Sequence, residues 1–160
     1  MNNPAFATVP RLPAKHVPFS GIASAVTPPI DTIMLMQAHH LADCAMLLTE
    51  SHRGKHHRLS RPAARQHLHA LLQNEQAVGF VFLDERCRVI AFAVGCERMT
   101  REQTTFDIDE LCVCAAKQHS RVGTQLVQYV EQAMRAQGIA HVTLGAAQHG
   151  AHTSRLLRML

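Results

Sequence analysis

The run F-D-I-D-E-L-C-V-C at residues 106–114, A-A-K-Q-H-S-R-V-G-T at 115–124 and Q-L-V-Q-Y-V-E-Q-A-M-R-A-Q at 125–137 reads as three successive pieces. An acidic and apolar strand gives way to a short basic loop, and the loop opens into an apolar helix. The first amides of a helix have no intrahelical acceptor, and the positive end of the helix dipole lies beside them. A strand that passes through a polar loop into such a terminus aims these groups at one spot, which suits an anion. Gly123 lets the backbone approach a bulky ligand without a Cβ in the way, and Arg121 and His119 add charge. A phosphate or pyrophosphate is the expected guest.

Working outward, Val122, Leu126, Val130, Ala133 and Gln137, widened by Val127 and Met134, form a stripe that predicts a sheet-facing helix over residues 122–136, ended by Gly138. Residues 139–144, I-A-H-V-T-L, then read as a strand parallel to the one at 106, because a helix of this length makes a right-handed crossover between parallel strands. Upstream, A-V-G-F-V-F-L and R-V-I-A-F-A-V-G-C around D-E-R-C predict a hairpin. Asp84 favours its turn, and both strands are apolar enough to be covered on two faces. Before it come two helices. The first runs over residues 40–52, with Leu41, Cys44, Ala45, Leu47 and Leu48 at helical spacing. The second is capped by Ser60, has Pro62 in its first turn, and carries Leu68, Leu71 and Leu72. A basic bridge, S-H-R-G-K-H-H-R-L-S, joins them. Residues 30–37 read as a first strand and residues 149–160 as a last helix.

Residues 1–29 hold most of the seven prolines and little apolar periodicity, so a flexible leader is expected there, with one domain over residues 30–160. A chain of 160 residues that is 47% apolar, with mean hydropathy near zero, fits one globule with a proper core. No run approaches the roughly 18 apolar residues of a membrane span, and the start lacks a secretory pattern, which makes the cytoplasm the expected compartment. Five cysteines, at 44, 87, 96, 112 and 114, are odd in number and lie mostly inside predicted elements, so reduced thiols are expected rather than disulfides. Cys112 and Cys114 lack zinc spacing, and the adjacent pairs His39-His40 and His56-His57 should point apart onto solvated faces, so no metal is expected. The net charge of +4 permits a polyanion partner, yet aromatics are only 4%, with no Trp and one Tyr to stack on bases. A phosphate-bearing small molecule accounts for the charge as well, and nucleic acid is disfavoured.

Leu111-Cys112-Val113 followed by Gln118-His119-Ser120-Arg121-Val122-Gly123-Thr124 resembles motif A of the GNAT superfamily of acetyl-CoA-dependent N-acetyltransferases, whose loop reads Q/R-x-x-G-x-G/A. Gln118 fits its first position and Gly123 its sixth; Arg121 stands at the fourth, where the family usually has Gly. The resemblance covers residues 30–160. It implies an α/β (α+β) fold, a mixed central sheet flanked by helices, with Leu111, Cys112 and Val113 and the loop from Gln118 to Thr124 holding acetyl-CoA. R-L-L-R-M-L at the end resembles the stretch before the family's last two strands, so a C-terminally truncated domain is expected, with Leu157 where many members place Tyr. The sheet would then present an edge that a second copy of the chain could cover.

The chemistry implied is acetyl transfer to a primary amine, small-molecule or peptide, by direct attack in a ternary complex. An alkyl amine titrates near 10.4, so only about one molecule in two thousand is unprotonated at pH 7, and a base must help. Glu110, just before L-C-V, matches the strand glutamate often used so in the family. The resemblance also assigns oxyanion stabilisation to a backbone N–H of the 111–114 segment, where the strand bulges from its neighbour. Asp107, Asp109 and Glu110 could draw a cationic amine, while the basic bridge argues the other way. The alternative is a non-catalytic acyl-CoA-binding or regulatory module whose acceptor half has been lost.

Overall fold

The hairpin at the centre of the computed structural model shows why these residues form strands. Strand β2, Ala77–Leu83, and strand β3, Val89–Met99, are rich in Val, Ile and Phe, and every residue from Val89 to Cys96 is buried. Asp84 closes the turn: its Oδ1 accepts the N–H groups of Arg86 and Arg88, both at 2.9 Å, and its Oδ2 accepts Arg88 Nη2 at 2.7 Å. The structure describes residues 32–52, 59–99 and 102–144. Among these, β1 (Thr32–Leu35), β4 (Thr104–Val113) and β5 (His141–Leu144) complete a sheet of order β1-β2-β3-β4-β5. Neighbours are antiparallel up to β4, and β4 and β5 run parallel.

Each face of the sheet buries its own core. Helix α3, Val122–Ala136, lays Val122, Leu126, Val127, Val130, Ala133 and Met134 on one face, against Phe80, Phe106 and Ile108. Its bounds are those the stripe predicts. Gly138, at φ 85°, ends it with a backbone turn in which Ile139 N–H donates to Met134 O at 3.0 Å, satisfying a carbonyl of the last turn. Helices α1 (Leu41–Ser51) and α2 (Arg61–Leu72) cover the other face, where Leu48 and Leu68 meet Val81, Phe92 and Cys112. Ser60 caps α2 by accepting Ala63 N–H at 3.3 Å, with Pro62 in the first turn.

Two local expectations are corrected. Residues 38–40 form a 3-10 turn ahead of α1, so the α-helix begins at Leu41. His39 and His40 do not point apart: their ring centroids lie 3.9 Å from each other. His40 is also buried, because its Nδ1 turns back to accept Gln37 N–H at 3.0 Å, and burial lowers its pKa from the ordinary value. The leader at 1–29, residues 53–58 of the bridge and the last helix at 149–160, with Leu157, lie outside the described residues.

One irregularity matters for function. Val94 pairs with Glu110, but Gly95 pairs with Ile108, so Asp109 is an extra residue in β4. A Cβ on Gly95 would stand 2.3 Å from Asp107 O and 2.8 Å from the Phe106 ring, so the close approach of the two strands needs glycine here. Phe106 and Ile108 face α3. Strict alternation would send Glu110 to the same apolar face. The inserted residue turns it to the opposite one, toward α2.

Candidate active site

Glu110 is buried, with 12% of its side chain exposed, and its Oε1 lies 2.8 Å from Nε2 of His67 on α2. Asp107 and Asp109 share that face but are held by Arg98: Nε reaches Asp107 Oδ2 at 2.7 Å, and Nη2 reaches Asp109 Oδ1 at 3.3 Å. Asp107 and Asp109 are thus both engaged by one guanidinium, and Glu110 by an imidazole. Asp109 Oδ2 also accepts the Cys96 thiol at 3.4 Å; burial, with this carboxylate adding to it, pushes that thiol up and away from thiolate.

Beyond Glu110, β4 keeps its register with β3, Ala93 opposite Leu111, Phe92 opposite Cys112 and Ala91 opposite Val113. The irregular step thus lies just before Glu110 and not along 111–114. On the other side, the pairing of β4 with β5 covers Thr105 to Ile108. Cys114 N–H donates to Ile90 O at 2.8 Å, so by alternation the amides of Leu111 and Val113 point away from β3, past the last described pair with β5. The side chains divide otherwise: Leu111 is buried toward α3, and Cys112 toward α1, its Sγ 3.7 Å from Ser51 Oγ.

The loop ties into this segment through Gln118, whose Nε2 donates to Val113 O at 3.5 Å. His119 takes φ 64°, the left-handed conformation that the turn requires. Ser120 Oγ donates to Lys117 O and accepts Val122 N–H at 3.4 Å. Arg121 has φ −75° and ψ 0°, a right-handed conformation open to any residue, so the glycine usual in the family is not needed at this position. The first helical bond runs from Gln125 N–H to Arg121 O at 2.8 Å, which leaves the amides of buried Gly123 and half-buried Thr124 with no carbonyl one turn back. Lys117, His119 and Arg121 stand exposed around them.

The strand, the loop after it and the helix N-terminus accord with what comparison finds. The profile of the "Acetyltransferase (GNAT) family" matches residues 35–159. The chain belongs to that family. Among solved structures, a possible acetyltransferase from Clostridium difficile 630 superposes with a TM-score of 0.68 at 12% identity, covering 82% of this chain and 89% of that one. An aminoglycoside acetyltransferase from an uncultured soil metagenomic sample, in complex with sisomicin, gives 0.64 at 18%, with 81% and 86% covered. A ribosomal-protein-alanine N-acetyltransferase from Brucella melitensis biovar Abortus 2308 gives 0.65 at 13%, with 81% and 89% covered. These identities show a shared acetyltransferase fold. Among curated proteins no relative matches by sequence.

Within this GNAT domain, the sequence singled out Glu110 and the loop but not the contact of Glu110 with His67. No local signal marks it: it sits on the exposed face of α2, 43 residues from its partner, and only the β4 bulge brings Glu110 round to meet it. Among the described residues no three His, Cys, Asp or Glu side chains gather as a metal site, and no helix is long and apolar enough to cross a membrane.

Proposed function

We propose that the protein transfers an acetyl group from acetyl-CoA to a primary amine by direct attack within a ternary complex. The observation that carries this reading is Glu110, a buried carboxylate turned by the bulge to the α1/α2 face, directly before amides that point away from β3. In this reading the Gly123 and Thr124 amides and the dipole of α3 receive the diphosphate, with Arg121 and His119 nearby. The Leu111 and Val113 amides receive the pantetheine arm and the thioester oxygen, where preorganised donors stabilise developing charge. Glu110 drives deprotonation of the amine.

Direct attack, without an acyl-enzyme, agrees with two of the five thiols. Burial and nearby carboxylates push both Cys44 and Cys96 up, so neither offers a ready thiolate at neutral pH. The leaving thiol of CoA, ordinarily near 8.5, departs without a dedicated acid. The alternative, an acyl-CoA-binding module without catalysis, rests on the short C-terminus, Leu157 and Arg121; of these, Arg121 has a backbone open to any residue and so does not by itself disfavour the cofactor loop.

The test pairs binding with turnover. CoA at about a hundred times its dissociation constant should stabilise the protein by roughly 2.7 kcal/mol in a thermal-shift titration, and nucleic acid should not. Thiol release from acetyl-CoA with a panel of amines should then appear, and Glu110→Gln should lower it by about 10²-fold or more. Stabilisation by CoA with no thiol release from any amine would leave the binding module instead.

A further inference from the structure

We propose that His67 is the group that takes the proton of the incoming amine, and that Glu110 acts through it; this rests on the transfer reading above. Two observations point there. The buried partner of the pair is the carboxylate and the open one is the imidazole: 12% of the Glu110 side chain is exposed against 44% of His67. The imidazole also spends only one nitrogen on the protein. Nε2 lies 2.8 Å from Glu110 Oε1, and Nδ1 has no hydrogen-bond partner among the described residues.

This pairing fixes the tautomer. An ionised carboxylate accepts and cannot donate, so Nε2 carries the proton in the neutral ring and the lone pair lies on Nδ1. A buried carboxylate that orients an exposed imidazole and stabilises its protonated form is the logic by which carboxylate–histidine pairs serve as bases elsewhere. An imidazole also holds its proton nearer neutral pH than a carboxylate does, which suits it better to collect one from an ammonium.

The steps balance. The substrate ammonium gives one proton to His67 Nδ1, and the imidazolium is paired with the Glu110 carboxylate. The freed amine attacks the thioester carbon. The C–N bond forms, the C–S bond breaks, and sulfur leaves with the bonding pair, taking up the proton that nitrogen sheds on acylation. The imidazolium then releases its proton to solvent through its open edge.

The experiment is chemical rescue. His67→Ala should lower thiol release by about 10²-fold or more at unchanged CoA stabilisation, and added imidazole should restore it in a concentration-dependent way. Glu110→Gln, which keeps the ring in place, should be slow and insensitive to imidazole. His67→Gln, a milder change that retains a donor for Glu110 but no base, should match His67→Ala without rescue. If His67→Ala or His67→Gln turns over within threefold of the wild type, or if imidazole restores nothing to His67→Ala, the assignment is overturned. A wild type that turns over while His67→Ala is unimpaired defeats this assignment alone. A wild type that binds CoA and acetylates no amine defeats the transfer reading, and this assignment with it.

Discussion

His119, like Cys87, holds a positive φ without being glycine. At φ 64° it occupies a region that costs an L-residue roughly 1–2 kcal/mol, and the loop holds it there so that the chain can turn from Gln118 into α3. His119→Val, whose branched Cβ tolerates this conformation least, should lower stability by about 1–2 kcal/mol in urea unfolding, whereas His119→Gly should not. Cys112 makes the opposite case, a side chain facing away from the proposed ligand. Its thiol is buried toward α1 beside Ser51, while the ligand contacts assigned to this segment are main-chain. Cys112→Ala should therefore leave CoA affinity within about twofold by calorimetry and cost about 1 kcal/mol of folding stability.

Elements, not single side chains, decide where the carboxylate points. The bulge in β4 depends on Gly95, where the strands come too close for a Cβ beside Asp107 O. Backbone cannot yield as a flexible side chain would, so Gly95→Ala should cost about 1–3 kcal/mol in denaturant unfolding and lower thiol release as well, because the face that Glu110 occupies is set there. The hairpin turn makes a prediction in pH. Arg88, hydrogen-bonded to the Asp84 carboxyl, lowers its pKa from 3.8 to about 2. The folded value lies below the unfolded one, so the stabilisation is fully present above the ordinary 3.8 and is lost as pH falls toward about 2. Asp84→Asn should flatten that part of a stability profile measured between these values and leave the profile near neutrality unchanged in shape.

At the scale of the whole molecule, the sequence made legible what depends on local pattern. The stripe of α3 predicted Val122–Ala136, the apolar runs around Asp84 predicted the hairpin, and the length of the helix predicted that β5 runs parallel to β4. Side-chain period and turn chemistry carry that information within a few residues. What escaped was set across the fold. The ring contact of His39 with His40 follows from a 3-10 turn that periodicity does not mark, and the pair of His67 with Glu110 requires one extra residue in β4, where alternation alone would leave Glu110 on the face of Phe106 and Ile108. The loop lies between these cases, since its glycine and charges were visible while the ordinary backbone of Arg121 was not.

The claim on which the rest depends is that the turn after Cys114 and the start of α3 hold a diphosphate through main-chain amides. Calorimetric titration with CoA and, in parallel, with pantetheine, which shares the thiol arm but has no diphosphate, tests it most directly. The account predicts saturable CoA binding and a loss of affinity for pantetheine of at least a hundredfold, about 2.7 kcal/mol. Equal affinities, or no binding of CoA at all, would contradict it.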